Sequence, residues 1–302
     1  MGVTDRPLTT PLQIPAFAKI NLQLGVVGLR PDGYHELRTV FQAISLHDTL
    51  TIERVRRPGI DLAITGARLD PGPTNLVWRA LEAMSEALRL PGGWRVRLEK
   101  RIPMAAGLGG GSSDAAAALL AAARLARRPL AFERLMEIGS SLGADVPFFL
   151  VGGRALGVGR GDEIYPLESG AKRSVLVVAP AGIDVSTPDA YAWLDRKLTK
   201  AAPPHKLWLS CALSWSRGDA DLRNDFEAVV FDRYPKLRQI KRRLLQAGAT
   251  GAALAGSGSA VFGLFRNPAQ ARRAARQFLE DQVFIARTLT RAEFDRAAGA
   301  PR

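Results

Sequence analysis

Cysteine is all but absent from this chain of 302 residues: Cys211 stands alone, so no disulfide can form within the chain. Histidine is almost as scarce, at three, and one thiol with three scattered imidazoles cannot build a zinc centre of the usual kind; no metal ligands are assigned. Long apolar runs are missing too. The longest candidate, Ala115 to Ala123, stops at Arg124, well short of the ~18 uncharged residues of a spanning helix. The first ten residues, MGVTDRPLTT, contain no apolar signal core, and Arg6 stands where a myristoylation motif takes Ser or Thr. The expectation is a cytoplasmic protein that engages no membrane.

Acidic residues are outnumbered. Forty-two Lys and Arg face 29 Asp and Glu, a net charge of +13 carried mostly by arginine. The basic residues cluster at Arg54-Arg56-Arg57, Arg124-Arg127-Arg128, Lys236 to Arg243 and Arg272-Arg273-Arg276. With aromatics at only 7%, these clusters lack the interleaved rings of a nucleic-acid surface. They read as solvated helix faces. What remains is a general attraction for anionic small molecules, with nucleic acid not expected as a partner.

Along the chain, residues 14–29 and 37–52 read as strands separated by the turn Arg30-Pro31-Asp32-Gly33. Apolar residues at helical spacing from Asn75 to Leu90 predict a helix, followed by a short strand at Trp94–Leu98. A glycine-rich segment then feeds an Ala/Leu-rich helix ending near Arg128-Pro129. A helix over Phe132–Ser141 leads to Gly143-Ala-Asp-Val-Pro147 and an expected strand from Phe148. After a turn at Gly159–Asp162, a strand at Ser174–Ala179 opens a second unit. It holds helices near 188–198, 226–234 and 237–247, strands at 249–255 and up to Phe265 around the turn Gly256-Ser-Gly258, a basic helix, and a closing strand near 283–289. Ala201-Ala-Pro-Pro204 reads as a surface loop. The boundary between units is placed at 168/169, giving domains 1–168 and 169–302.

The most unusual segment is Pro103-Met-Ala-Ala-Gly-Leu-Gly-Gly-Gly-Ser-Ser-Asp114. Glycine loses more backbone entropy on ordering than any other residue, so a cluster of them implies close backbone approach. Gly107, Gly109, Gly110 and Gly111 precede two serines and a helix, which converges free N–H groups and the positive end of the helix dipole on one point. That is a phosphate cradle. No Lys-Ser/Thr follows, so it is not a Walker loop, and a serine in place of the last glycine breaks the Rossmann spacing.

At this string the sequence resembles the family of galactokinases, homoserine kinases, mevalonate kinases and phosphomevalonate kinases. Pro15 to Leu22 is similar to the family's first motif, Pro103 to Ser113 to its second, and Leu254 to Phe262 to its third. The block Arg30-Pro-Asp-Gly-Tyr-His-Glu-Leu37 with Phe41-Gln42, and Leu142-Gly-Ala-Asp-Val-Pro-Phe148, resemble the members whose acceptor carries a cytidine diphosphate group, in the non-mevalonate isoprenoid route. The resemblance implies an α+β, two-domain small-molecule kinase fold. Its N-terminal unit would be ribosomal-protein-S5-domain-2-like, and its C-terminal unit ferredoxin-like. It also implies ATP as phosphoryl donor, Mg2+ beside it, cytidine diphosphate-linked methylerythritol as the small-molecule substrate, and a monomer or weak homodimer.

Residue by residue, the resemblance gives ATP-binding roles to Pro103, Met104, Ala105, Ala106, Gly107, Leu108, Gly109, Gly110, Gly111, Ser112 and Ser113. Asn75 and Lys100 join them near the adenine, and Gly256, Ser257 and Gly258 from the third motif. Asp145, in a short turn among apolar residues, is the candidate base. Lys19, the only charge between Ile14 and Gly28, is its expected partner, stabilising charge on the acceptor hydroxyl. The acceptor side is given to Asn21, Tyr34, His35, Phe41, Thr187 and Tyr191. No second carboxylate belongs clearly to a metal site, and Asp114 reads as a carboxylate favoured by the helix dipole.

Other readings stay open at this point. Gly139-Ser-Ser-Leu-Gly143 fits Gly-x-Ser-x-Gly with Ser141 as nucleophile, but a helix precedes it where a nucleophile elbow needs a strand. A homoserine- or mevalonate-type kinase is the nearer rival, and an RNA-binding protein the distant one.

Overall fold

The computed structural model describes residues 7–198 and 222–299; Arg6, the expected loop at 201–204 and Cys211 lie outside the described residues. Two sheets organise the molecule. The first is built on a long antiparallel pair, β1 (Leu12–Leu29) and β2 (His35–Val55), joined by the expected turn at residues 30–34. β3 (Gly59–Thr65) lies parallel to β4 (Gly93–Glu99), which pairs with the C-terminal half of β2, with α1 (Leu76–Ala87) connecting them. The other half of β2 pairs with β5 (Arg154–Val158), which forms a hairpin with β6 (Glu163–Leu167).

The second sheet begins with β7 (Ser174–Ala179) and adds β9 (Gly251–Leu254), β10 (Val261–Phe265) and β11 (Gln282–Arg287) in the order β11-β7-β10-β9, all antiparallel. In chain order that is 4-1-3-2. Helices α5 (Thr187–Leu198), α6 (Glu227–Arg233) and α7 (Pro235–Gln246) lie between its first two strands and α8 (Pro268–Ala275) between its last two. This is the ferredoxin-like arrangement, and the fold is the expected α+β type. One short strand of the C-terminal half, β8 (Arg223–Asn224), crosses over to pair in parallel with β1.

β1 is buried almost without interruption because both its faces are covered. Ile14 and Ala16 pack toward the helices, while Ala18, Ile20 and Leu22 pack against the second sheet. Strict alternation would put all five on one face. The reversal falls at a register shift between Phe17 and Ala18, opposite two extra residues of β2, Ser45 and Leu46, and beyond it Lys19 and Asn21 lie on the helix side.

On that side lies α2 (Gly110–Ala126), whose Ala115–Ala122 are buried all round; the small side chains let β1, α1 and α4 (Val146–Val151) approach closely. α3 (Phe132–Leu142) precedes α4. The strand expected from Phe148 is a correction: Val146–Val151 is helical and wholly buried, with Pro147 in its first turn, and the strand begins only at Arg154. A short apolar run reads equally as buried strand or buried helix, and the proline, suited to a first helical turn, tips it. β3, the β5–β6 hairpin as a pair, and α9 (Arg291–Ala298) go beyond the sequence reading. α9 had a legible start, since Thr290 and Glu293 form a capping box.

The two sheets meet at glycine backbones. A Cβ on Gly107 (φ +74) would fall on the carbonyl oxygen of Ala255, and one on Gly258 on the amide of Gly107. Gly107→Ala and Gly258→Ala are therefore each expected to lower stability by about 1–3 kcal/mol. Gly28→Ala, where a Cβ meets nothing within 4 Å, should change it by less than about 0.5 kcal/mol. Urea unfolding midpoints check this; equal effects at all three positions would refute the contact.

Candidate active site

A cleft of 860 Å³ opens where the glycine-rich loop, β1, the β1–β2 turn and α5 converge, within the range of small-molecule sites. It brings together Lys19, Asn21, Tyr34, His35, Phe41, Asp145, Thr187 and Tyr191 with Lys100, residues 103–112, Gly256 and Ser257. Three expected site residues stand behind the wall. Ser113 is buried and donates its hydroxyl to the Phe17 carbonyl at 2.6 Å. Asn75 caps α1, its Oδ1 accepting from the Val77 amide at 2.9 Å, so that Leu76 faces the cleft instead. Gly258 backs Ala106 and Gly107.

The loop is held by backbone bonds on both sides. The Lys19 amide donates to the Leu108 carbonyl at 3.0 Å, and the Ser259 and Ala260 amides donate to Ala105 and Ala106, each at 3.3 Å. Gly109 enters α2 in the left-handed conformation, φ 73, and Ala105 adopts φ 51 without being glycine, a local strain of the kind found where geometry serves a ligand. The first amides of α2 thus open into the cleft with no side-chain cap on them.

Lys19 lies at the foot of this cradle. The residue is 4% exposed, and its ammonium donates to Asn21 Oδ1 at 2.8 Å, stands 3.5 Å from Asp145 Oδ2 and 5.5 Å from the centre of the Phe41 ring. Asn21 is fixed in turn: its Nδ2 donates to Thr39 Oγ1 at 2.7 Å, and Thr39 donates to the Gln23 carbonyl at 2.8 Å. This relay forces the amide oxygen of Asn21 toward Lys19. Asp145 precedes α4 but makes no capping bond with its side chain, which is one-third exposed to the cleft. A carboxylate and an ammonium thus face open space beneath an anion cradle, an arrangement that can accept a proton from a hydroxyl and stabilise the resulting charge.

The far end of the cleft is aromatic. His35 stacks on Tyr191 with ring centres 4.4 Å apart, and its Nε2 lies 2.7 Å from Asp195 Oδ1. Tyr191 rests edge-on against Phe226, and its phenol is pushed up by burial and by the charges of Asp145 and Asp195. Tyr34 is mostly exposed under the guanidinium of Arg160, 5.0 Å from its ring centre, and Phe41 stacks on Phe148 as a buried floor. Thr187 and Ser257 share a hydrogen bond of 2.9 Å between their hydroxyls, joining α5 to the Gly256–Gly258 turn.

Asp195, Arg160, Thr39 and Asp48 were missed by the sequence reading. Asp195 had a signal, since it falls four residues after Tyr191 on the same helix face. Asp48 had one as well, as the only carboxylate in the apolar middle of β2. It accepts bonds from the Lys100 ammonium and from the Arg101 and Ile102 amides, and Lys100 also donates to Asp114 Oδ2 at 2.6 Å. Asp114 is thus no mere complement to the helix dipole but a member of a buried cluster.

Burial, opposed by Lys100 and reinforced by Asp48, raises the Asp114 carboxyl from its ordinary 3.8 to about 8. Burial disfavours the Lys100 ammonium, but Asp114 and Asp48 outweigh it and raise that group above its ordinary value. Between 3.8 and about 8 the native state therefore holds a proton that the unfolded chain releases, and stability falls as pH rises through that window. Asp114→Asn, a neutral isostere, is expected to flatten this decline between roughly pH 5 and pH 8, as read from urea midpoints. An unchanged slope would contradict the assignment.

Models of the GHMP kinases N terminal domain and the GHMP kinases C terminal match residues 75–153 and 211–282. The chain is 48% identical over 286 residues to the 4-diphosphocytidyl-2-C-methyl-D-erythritol kinase of Solibacter usitatus (strain Ellin6076), spanning 92% of this chain and 89% of that one. It is 42% identical over 277 residues to the kinase of the same name from Pelotomaculum thermopropionicum, spanning 90% of this chain and 96% of that one. A crystal structure of 4-(cytidine 5'-diphospho)-2C-methyl-D-erythritol kinase superimposes with a TM-score of 0.78 at 37% identity, over 92% of this chain and 99% of the other. Homoserine kinase from Cytophaga hutchinsonii, at 18% identity and a TM-score of 0.69 over 96% and 98%, shares the fold. With cradle, lysine and aspartate in one cleft and similarity running the length of both halves, the chain belongs to the GHMP kinases, which are ATP-dependent small-molecule kinases, and within them to the 4-diphosphocytidyl-2-C-methyl-D-erythritol kinase family.

Proposed function

We propose that the protein transfers the γ-phosphoryl group of ATP to the 2-hydroxyl of 4-diphosphocytidyl-2-C-methyl-D-erythritol, in the non-mevalonate route to isoprenoid precursors. The observation that carries this reading is the Lys19–Asp145 pair, 3.5 Å apart, beneath the open amides of α2. The loop of residues 103–112 holds the triphosphate through its glycine N–H groups, and the adenine lies toward Leu76 and Met104, which line the cleft together with Lys100, while Asn75 stays behind as the cap of α1. The acceptor lies across Asn21 and Thr187, with its cytosine at the aromatic end among Tyr34, His35 and Tyr191.

Asp145 takes the proton of the acceptor hydroxyl as its oxygen attacks the γ-phosphorus. The bond to the bridging oxygen breaks, and ADP leaves with that electron pair. Lys19, oriented by Asn21, stabilises the charge on the attacking oxygen, and the cradle amides stabilise the charge spread over the phosphoryl oxygens. Magnesium would accompany the nucleotide in this reading and would supply positive charge to the transferring phosphoryl group. Among the described residues no three His, Cys, Asp or Glu side chains converge on one position. Support for the domain division at 168/169 comes from the chain leaving the first sheet after Leu167 and entering the second at Ser174. We place the enzyme in the cytoplasm, as a monomer or weak homodimer.

A coupled assay of ADP release tests the reading. Turnover is expected with the cytidine diphosphate-linked acceptor and not with homoserine or mevalonate. Lys19→Ala and Asp145→Asn should each lower kcat by about 10²–10⁴-fold while the protein stays folded. Transfer to mevalonate alone, or near-native turnover in both variants, would overturn it.

A further inference from the structure

The cluster of Asp48, Lys100 and Asp114 is not used by the chemistry above, yet it is among the most deeply buried groups of charge in the molecule. The three side chains come from three elements and are 0–4% exposed. Asp48 belongs to β2, Lys100 follows β4, and Asp114 lies in the first turns of α2. Their placement relative to the cradle is specific. Lys100 is three residues ahead of Pro103, where the glycine-rich loop begins, and Asp114 follows directly on Ser113, where it ends. Asp48 accepts from the Arg101 and Ile102 amides, which pins the entry strand. The ammonium also lies 3.3 Å from where a Cβ on Gly110 would stand, directly under the first residue of α2.

We propose that Lys100 is a positioning residue: bridging Asp48 at the loop's entry and Asp114 at its exit, it clasps the two ends of the glycine-rich loop together and holds the cradle amides in phosphate-binding geometry before ATP arrives. The need follows from the loop's composition. A segment in which four of the five residues from Gly107 to Gly111 are glycine has few side chains to pack, and fixing such backbone is entropically costly. Bringing the ends together in advance removes part of that cost from nucleotide binding. Buried within an apolar wall, the bridge is shielded from competing water, and removing one partner leaves polar groups unsatisfied. Lys100 thereby acts through the loop backbone, and its ammonium is engaged by the side-chain oxygens of Asp48 and Asp114 and not by the adenine. The inference rests on the kinase reading only in naming ATP as the anion the loop holds.

Asp114→Ala opens the exit end while leaving the Lys100–Asp48 pair in place, with folding checked by circular dichroism; Asp114→Asn keeps an acceptor oxygen for Lys100. Two readouts separate the clasp from a general packing role. With hydrogen–deuterium exchange on the ligand-free protein, Asp114→Ala is expected to speed exchange in peptides covering 103–113 and to leave the second sheet unchanged, with Asp114→Asn close to the parent. In steady-state kinetics, Asp114→Ala is expected to raise KM for ATP about tenfold or more with little change in KM for the acceptor, and Asp114→Asn to recover most of it. Unchanged loop exchange in Asp114→Ala, an equal rise in both KM values, or an asparagine variant as impaired as the alanine one would each overturn the proposal. Exchange is read without substrate, so a parent protein that shows the loop effect but no ADP release would sink the kinase reading and leave the clasp standing.

Discussion

The contact on which the site depends is between backbones. Gly107 lies against the Ala255 carbonyl and the Gly258 amide closer than any side chain would allow, and Gly109 leaves room for the Lys19 stem and the Phe149 ring. Through the first contact the second sheet is docked on the cradle. Through the second, the cradle is docked on β1. Both are van der Waals contacts whose strength lies in what they exclude: a methyl group at Gly107 displaces main chain, which cannot yield as the end of a long side chain can, and one at Gly109 displaces the buried Phe149 ring and the stem of Lys19. The hydrogen bonds from Ser259 and Ala260 to the loop carbonyls have their geometry only because these surfaces meet.

Much of this was legible in the residues. A glycine string ahead of an alanine-rich helix states its requirement for close approach openly, and Lys19 stands out as the only charge in its strand. The sequence reading paired it with Asp145, and the structure places the two 3.5 Å apart. What could not be read was register. Period-two alternation puts Ala16 and Ala18 on the same face, whereas the strand changes face at the register shift after Phe17, opposite Ser45 and Leu46 of β2, and Lys19 lies toward the cradle. The helix at Val146–Val151 was hidden for a related reason: buried on every side, it shows no periodicity at all.

Long-range partners were the other loss. Asp48 meets Lys100 across 52 residues and Asp195 meets His35 across 160; each carboxylate stands out locally, but nothing in the local pattern names its partner. Lys100 illustrates the consequence. Resemblance gave it to the nucleotide and the structure sets it in the cavity wall, but its charge is satisfied from behind. Ser113 and Asn75 behave alike, one bonded to the Phe17 carbonyl and the other capping α1. A motif identifies which residues gather at a site; which of them face the ligand depends on hydrogen bonds to elements far away in sequence.

The same bookkeeping bears on the net charge of +13. A nucleotide and a diphosphate-linked acceptor would bring several negative charges into a cleft whose cations are already engaged: Lys19 by Asn21 and Asp145, Lys100 by Asp48 and Asp114, Arg160 by Asp162. Close neutralisation therefore falls to backbone amides at the start of α2, whose partial charges are fixed by the fold and need no rearrangement. The arginine surplus lies elsewhere, as with Arg233 over the Trp193 ring and Arg243 over Phe278, where the side chains cover aromatic surface while keeping their charge near water. At physiological salt such charges are screened beyond about 8 Å. Their field favours the approach of anions to the molecule, while in the proposed reading the holding of phosphate in the cleft would fall to a few glycine amides kept in place by the contacts behind them.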